Sequence, residues 1–185
     1  IVALHFIQDA KKIQNLMYKD VEIDIGNLNY LIYISKKNIL TDRATRQYAI
    51  VYINILLFQR YKVIYGWNNG QKLLTVIAEA LNECINNKNE VCVKADGDHF
   101  AFLISDENGA IPERVRRIWQ FIEERIFQII GVQIEVQMGI YFIPPDSDDL
   151  RGAIACASQA IDFIENGSGE NIQIYDEALE KAVRE

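Results

Sequence analysis

The sequence predicts an α+β domain in which helices pack on a central antiparallel β-sheet. A first observation behind this prediction is that the hydrophobic spacing switches several times between that of strands and that of helices. A second is that Gly, Pro and Asn residues cluster where the spacing changes. A third is that 50% of the 185 residues are hydrophobic, which lets such a chain bury roughly two thirds of its unfolded surface and excludes disorder.

The first predicted strand of the sheet spans residues 48–58, with the sequence YAIVYINILLF. Its β-branched and aromatic residues are typical of a central strand that is buried on both faces. Apolar residues then recur at helical spacing at Leu73, Ile77, Leu81 and Cys84. Two strands are predicted next, at residues 91–94 and 100–104, because the Asp-Gly pair between them is a strong signal for a hairpin.

The second half of the chain continues the alternation of helix and strand. Pro112 can open a helix and Gly131 can close it, and apolar residues between them recur at helical spacing. Alternation from Ile134 to Ile140 predicts a strand with one buried face. A helical stripe over residues 150–164 and a short strand at residues 172–174 complete the pattern. The order βαββαβ predicts a ferredoxin-like palm with an extra helix and an extra edge strand.

Three segments are expected along the chain. Residues 1–37 would be an N-terminal connector or signalling segment, residues 38–176 the palm domain, and residues 177–185 a C-terminal linker helix. The first segment stays ambiguous at this level. Its apolar residues Phe6, Ile13, Leu16 and Met17 could line a helix, whereas Val21, Ile23 and Ile25 alternate as in a strand.

Charge and cysteine content limit the classes of partner. The chain has 19 Lys and Arg against 26 Asp and Glu residues, a formal charge of −7, and lacks the basic stripe that nucleic-acid binding requires. No apolar run reaches the roughly 18 to 20 residues of a membrane span. The three cysteines, Cys84, Cys92 and Cys156, suit free thiols in a reducing compartment. We therefore expect a cytoplasmic segment, even if a longer protein that contains it is membrane-anchored.

The predicted hairpin carries the most informative motif, KADGDHF at residues 94–100. It resembles the Gly-Gly-Asp/Glu-Glu-Phe signature of the GGDEF family, the bacterial diguanylate cyclases, through Gly97, Asp98 and Phe100. Five further landmarks are similar to family motifs: Leu40-Thr41 with Arg46, residues 54–58, Tyr65-Gly66 with Gly70, residues 136–140, and residues 157–176. The resemblance covers residues 38–176.

The resemblance implies a changed metal site. Active members join two GTP molecules into cyclic di-GMP with the help of two divalent cations that carboxylates hold. At the ligand positions this chain has the neutral Asn54 and the retained Asp98, so metal binding is expected to be weak or lost. Asp96 replaces a glycine beside the substrate and would repel phosphate, and His99 replaces a glutamate. No intact catalytic residue is therefore expected, and Asp98 and His99 are degenerate counterparts.

The substrate-binding positions implied by the resemblance have changed as well. Lys62 and Gln71 stand where the family reads guanine with Asn and Asp, and only a carboxylate accepts both guanine N–H donors. Glu165 stands where the family has a lysine that contacts phosphate. Among the substrate-binding positions, Gly97 is unchanged, and Arg46 is the remaining cation. The product-inhibition motif Arg-x-x-Asp aligns with residues 87–90 and lacks its arginine. We expect no resident cofactor, with Mg²⁺ only if a nucleotide binds, and weak GTP binding at most.

Three functions are compatible with these observations to different degrees. The leading hypothesis is a catalytically inactive GGDEF module that regulates or dimerises a cyclic di-GMP signalling protein, next to sensor and EAL domains. One alternative is an active diguanylate cyclase whose unusual metal site consists of Asp96, Asp98 and Asn54. Another is a palm that recognises single-stranded RNA, which the sequence pI of about 4.9 disfavours.

Overall fold

Six strands form a mixed β-sheet in the structure, a computed structural model that describes residues 11–42, 44–106, 108–164 and 170–184. The strands are β1 (Gly26–Asn27), β2 (Gln47–Ile55), β3 (Val91–Asp96), β4 (His99–Asp106), β5 (Val136–Ile143) and β6 (Ile172–Ile174). Their order is β1-β3-β4-β2-β5-β6. The four inner strands pair antiparallel, and the two short outer strands pair parallel to their neighbours.

Helices cover both faces of this sheet. They are α1 (residues 11–18), α2 (Leu28–Asp42), α3 (Phe58–Tyr65), α4 (Trp67–Cys84), α5 (Ile111–Ile130), α6 (Leu150–Ile161) and α7 (Glu177–Arg184). Alternate residues of the inner strands pack against α4 and α5 in one buried cluster. The intervening strand residues point to the opposite face and pack against α2 and α6 in a second cluster. The inner strands with α4 and α5 follow the order βαββαβ, which confirms the predicted palm.

The predicted first strand is too long at its C-terminal end. β2 ends at Ile55, and the apolar run continues through a turn into the short helix α3, which begins at the buried Phe58. Leu57 has φ 59° and ψ 26°, a left-handed conformation that ends the strand and redirects the chain. Hydrophobicity alone could not separate the two elements, because the strand and the helix that follows it are both apolar here.

The prediction that β5 has only one buried face is also wrong. Both faces of this strand are covered at its centre, where Gln137 and Gly139 are buried along with the apolar residues. A Cβ atom at Gly139 would lie 1.9 Å from the carbonyl oxygen of Ala157 in α6. Glycine therefore lets α6 approach the strand closely, and this contact buries the second face.

The N-terminal region joins the same fold before residue 38. β1 pairs with β3 at Val93 and Lys94, and α2 buries Leu31 and Ile39 against the sheet, so residue 38 lies inside a packed helix. Residues 11–18 are helical, whereas residues 21–25 form bends rather than the alternative strand. Phe6 lies outside the described residues. None of the helices in the described ranges combines the length and the apolar character that a bilayer span requires.

Candidate functional site

The signature motif forms a tight hairpin at one end of the sheet. Asp96 at the end of β3 pairs with His99 at the start of β4, so Gly97 and Asp98 are the two turn residues. Gly97 has φ 42°, in the left-handed region that glycine adopts without strain. The register that pairs Phe100 with Ile53 brings this turn to the end of β2. The hairpin predicted from Asp-Gly is confirmed.

The side chains of the hairpin gather around Tyr52 of β2. The rings of His99 and Tyr52 have centroids 5.5 Å apart, and His99 Nδ1 lies 3.8 Å from Asp98 Oδ1. Burial raises the pKa of the Tyr52 phenol, and the negative charges of Asp96 and Asp98 raise it further. The imidazole that replaces the family's glutamate therefore packs against an aromatic ring of the sheet.

Asn54, the counterpart of the first metal ligand, is held by a neighbouring strand. Its Nδ2 donates a hydrogen bond of 3.2 Å to Oε1 of Gln137 in β5, which is 4% exposed. Asn54 and Gln137 are also partners in the register between β2 and β5. The pair places a neutral amide, with one of its two N–H donors used in this bond, where the family resemblance implies a carboxylate.

A divalent metal site can be tested against these donors. Hard cations such as Mg²⁺ prefer several anionic oxygen ligands. Asp96 and Asp98 supply carboxylates from the hairpin, but β2 supplies only the Asn54 amide. Among the residues that the structure describes, no three His, Cys, Asp or Glu side chains converge as a metal-binding group. Compared with the metal site that the resemblance implies, this donor set lacks one carboxylate, the one that Asn54 replaces.

Lys62, a predicted counterpart of a guanine-reading residue, packs between α3 and α4. Its ammonium lies 5.0 Å from the ring centroid of Phe58 and 4.9 Å from that of Trp67. Its stem covers Gly70, where an added Cβ would lie 2.6 Å from Lys62 Cγ. Gln71 follows on α4 and is half-buried. The space between the two helices is therefore occupied by a cationic side chain that offers no hydrogen-bond acceptor.

Arg46, another predicted site residue, does not join the hairpin. Arg46 precedes β2 at the opposite end of that strand, roughly 26 Å from Asn54 at the usual rise per residue, and pairs with Asp42 at 3.2 Å. The expectation that Arg46 remains as a site cation is wrong, because the strand separates it from the hairpin. Glu165 lies outside the described residues.

Glu90, the acid retained from the inhibition motif, is part of the core. Its fully buried carboxylate accepts a hydrogen bond of 3.1 Å from the backbone N–H of Ser105 and two from the guanidinium of Arg114, one of them 2.7 Å long. The pair links the loop before β3 to α5. The sequence analysis missed this pairing with Arg114, since no local motif connects residues 24 positions apart.

Comparisons with known proteins agree with this fold. The family model described as "Diguanylate cyclase, GGDEF domain" matches residues 25–170. The fold is similar to that of the coiled coil and GGDEF domain of DgcB from Caulobacter crescentus in complex with c-di-GMP, with a TM-score of 0.72, 11% identity and 93% of each chain covered. It is also similar to the GGDEF domain of YfiN (TpbB) from Pseudomonas aeruginosa, with a TM-score of 0.73 and 17% identity over 91% of this chain and 100% of that one.

A multidomain structure gives a third comparison. The S helix-GGDEF-EAL structure of Vibrio cholerae LapD, bound to c-di-GMP, matches with a TM-score of 0.70 and 11% identity, over 91% of this chain and 39% of that one. At these identities the structural likenesses show the fold. The family match covers more than three quarters of the sequence. The chain therefore belongs to the GGDEF domain family, whose setting is cyclic di-GMP signalling.

Proposed function

We propose that this GGDEF domain does not synthesise cyclic di-GMP and serves as a regulatory or dimerising module in a cyclic di-GMP signalling protein. The observation that carries the proposal is the hydrogen-bonded amide pair of Asn54 and Gln137 at the end of β2. Phosphoryl transfer between two triphosphates depends on cations that neutralise the developing negative charge. A neutral amide in place of a carboxylate weakens the electrostatic attraction for those cations.

The hairpin and the helices support the same proposal. Asp96 adds a negative charge on the other side of Gly97, where an approaching phosphate would be repelled. Lys62 is engaged with two aromatic rings and has only donors to offer to a base. GTP is therefore a candidate weak ligand, and Mg²⁺ would bind only together with it.

The proposal extends to neighbouring domains and to a second copy. The LapD comparison contains an S helix and an EAL domain around its GGDEF domain. We place this chain in a similar setting, with a sensor region before it, an EAL phosphodiesterase domain after residues 177–185, and a homodimer as its working state. The length of the full protein tests whether further domains flank this chain. Its mass in solution, compared with the mass of one chain, tests whether it is a homodimer.

The decisive experiment incubates the protein with GTP and Mg²⁺ or Mn²⁺ and measures cyclic di-GMP by chromatography. We expect no product. Calorimetry with GTP and millimolar Mg²⁺ then separates two versions of the role: micromolar affinity supports a GTP sensor, and no binding supports a dimerising scaffold. Product formation that is lost in an Asp98→Asn variant would overturn the proposal and establish the active cyclase with an unusual metal site.

A gain-of-function variant sharpens this test. Asn54→Asp restores a carboxylate at the end of β2, and we expect it to strengthen Mg²⁺-dependent GTP binding by about tenfold, equivalent to about 1.4 kcal/mol. Asn54→Ala is the matched control, since it removes the Gln137 hydrogen bond without adding charge. Equal GTP affinity of the two variants would show that the charge at residue 54 does not limit nucleotide binding.

A further inference from the structure

An exposed apolar surface covers α3 and the start of α4. Its large side chains are solvent-exposed by 45% to 86% and lie within 11 consecutive residues: Leu57, Val63, Ile64, Tyr65 and Trp67. Single exposed apolar residues are ordinary, but contiguous ones mark interaction sites. Leu57 is in addition the one non-glycine residue with positive φ in the described part of the chain. We call this surface the α3 face.

A groove runs along the α3 face, between α3 and the loop after α5. Its volume is about 260 Å³, and Leu57, Ile64 and Val132 contribute to its apolar wall. Its charged lining residues are Arg60 and Glu135. A concave apolar site of this size accepts a few side chains of a polypeptide.

The segment that carries the α3 face is positively charged, in contrast to the chain as a whole, although the groove itself is lined by one cation, Arg60, and one anion, Glu135. Residues 57–78 contain Arg60, Lys62 and Lys72 and no Asp or Glu, whereas the whole chain carries a formal charge of −7. Arg60 and Lys72 are exposed. The exposed apolar side chains are thus accompanied by positive charge.

The shape and the charge of the α3 face favour one class of binding partner over two others. A two-fold contact with a second copy would place the same cations opposite each other, which like-charge repulsion disfavours. An anionic bilayer is flat, whereas the groove is concave. A segment whose apolar side chains enter the groove and whose acidic side chains lie on the Arg60 side, away from Glu135, satisfies both the shape and the charge of the α3 face.

We infer that the α3 face binds a protein segment in which apolar side chains, seated in the groove, are flanked by Asp or Glu residues that face Arg60. The inference rests on the proposed function, because it assigns a partner to the side of the domain that would otherwise hold nucleotide. A regulatory module needs such a contact surface. This one lies next to the end of β2.

Selection from a displayed library of random peptides tests the inference without a named partner. The protein is the target, and the V63D/I64D variant is the counter-target, which keeps the fold because Val63 and Ile64 are 86% and 60% exposed. Expected peptides combine Leu, Ile or Phe with Asp or Glu. In fluorescence anisotropy they should bind the variant at least about tenfold more weakly, as loss of an apolar interface centre predicts.

Matched variants and salt complete the test. Leu40→Asp alters an equally exposed apolar residue on α2, 57% exposed, and should leave peptide affinity unchanged. Arg60→Glu should weaken binding, and added salt should do the same for the unaltered protein. Circular dichroism of every variant shows whether it is folded.

Several outcomes would overturn the inference. These are the absence of enriched peptides, enriched peptides without acidic residues, or peptides that bind V63D/I64D and the unaltered protein equally well. Sedimentation with phosphatidylglycerol vesicles that depends on Val63 and Ile64 would assign the α3 face to a lipid surface instead. Cyclic di-GMP synthesis would refute the proposed function separately, since that assay does not involve the peptides.

Discussion

Replacing Arg114 by Met removes the partner of a buried carboxylate and should destabilise the domain strongly. The side chain of Glu90 is completely buried, whereas that of Arg114 is 26% exposed. Without the guanidinium, Glu90 keeps only the hydrogen bond from the backbone N–H of Ser105. Its charge then lacks compensation in a region that water does not reach.

The size of the effect follows from this geometry. Removing one partner of a buried ion pair costs roughly 3–5 kcal/mol, and the partial exposure of Arg114 favours the lower end, about 3 kcal/mol. For a domain of this size, 1 kcal/mol changes the melting temperature by about 2–4 °C, so a decrease of about 6–12 °C is expected. Urea unfolding followed by circular dichroism measures the free energy directly.

The same helix provides a matched control. Arg125 also makes a two-pronged ion pair, with Glu83 at 3.0 and 2.7 Å, but the side chains are 28% and 50% exposed. Arg125→Met should therefore cost no more than about 1 kcal/mol. The double variant E90L/R114M, which removes both charges, should recover much of the loss, because an apolar pair can replace a buried ion pair. Equal losses for Arg114→Met and Arg125→Met, or no recovery in the double variant, would refute the reasoning.

Three other predictions concern packing, pH and thiol reactivity. Gly139→Ala should lower the free energy of unfolding by about 2 kcal/mol or more, since its Cβ would lie 1.9 Å from the Ala157 carbonyl oxygen; unchanged urea unfolding would contradict this. Burial raises the pKa of Glu123, so the folded state binds its proton more tightly and stability falls as pH rises above the ordinary value of 4.5. Glu123→Gln should therefore raise the melting temperature at pH 7 and lose this advantage near pH 4, and the opposite pH trend would exclude burial as the cause. Burial raises the pKa of Cys92 to about 12, so at pH 8 iodoacetamide should label it much more slowly than the half-buried cysteines, and equal labelling by mass spectrometry would contradict the prediction.

Much of the palm could be predicted because its elements are defined by local patterns. The spacing of apolar residues predicted α4 and α5, and the Asp-Gly turn predicted the hairpin of β3 and β4, which the structure confirms. The predictions failed where local patterns run together. The apolar sequence of β2 continues into α3, so the left-handed turn at Leu57 was not expected. Both faces of β5 are buried because α6 approaches Gly139, and a strand's own alternation does not report such a contact.

The features of the candidate site also divide into those that local sequence predicts and those that depend on the tertiary structure. By itself the sequence determined that the hairpin belongs to a GGDEF-like motif and that a neutral asparagine stands on the strand beside it, because residue identity and turn chemistry are local properties. Only the tertiary structure decided that Asn54 is bonded to Gln137, 83 residues away, and that Glu90 is neutralised by Arg114. Such partners depend on strand register and on the packing of α5, and these are set by the folded chain as a whole.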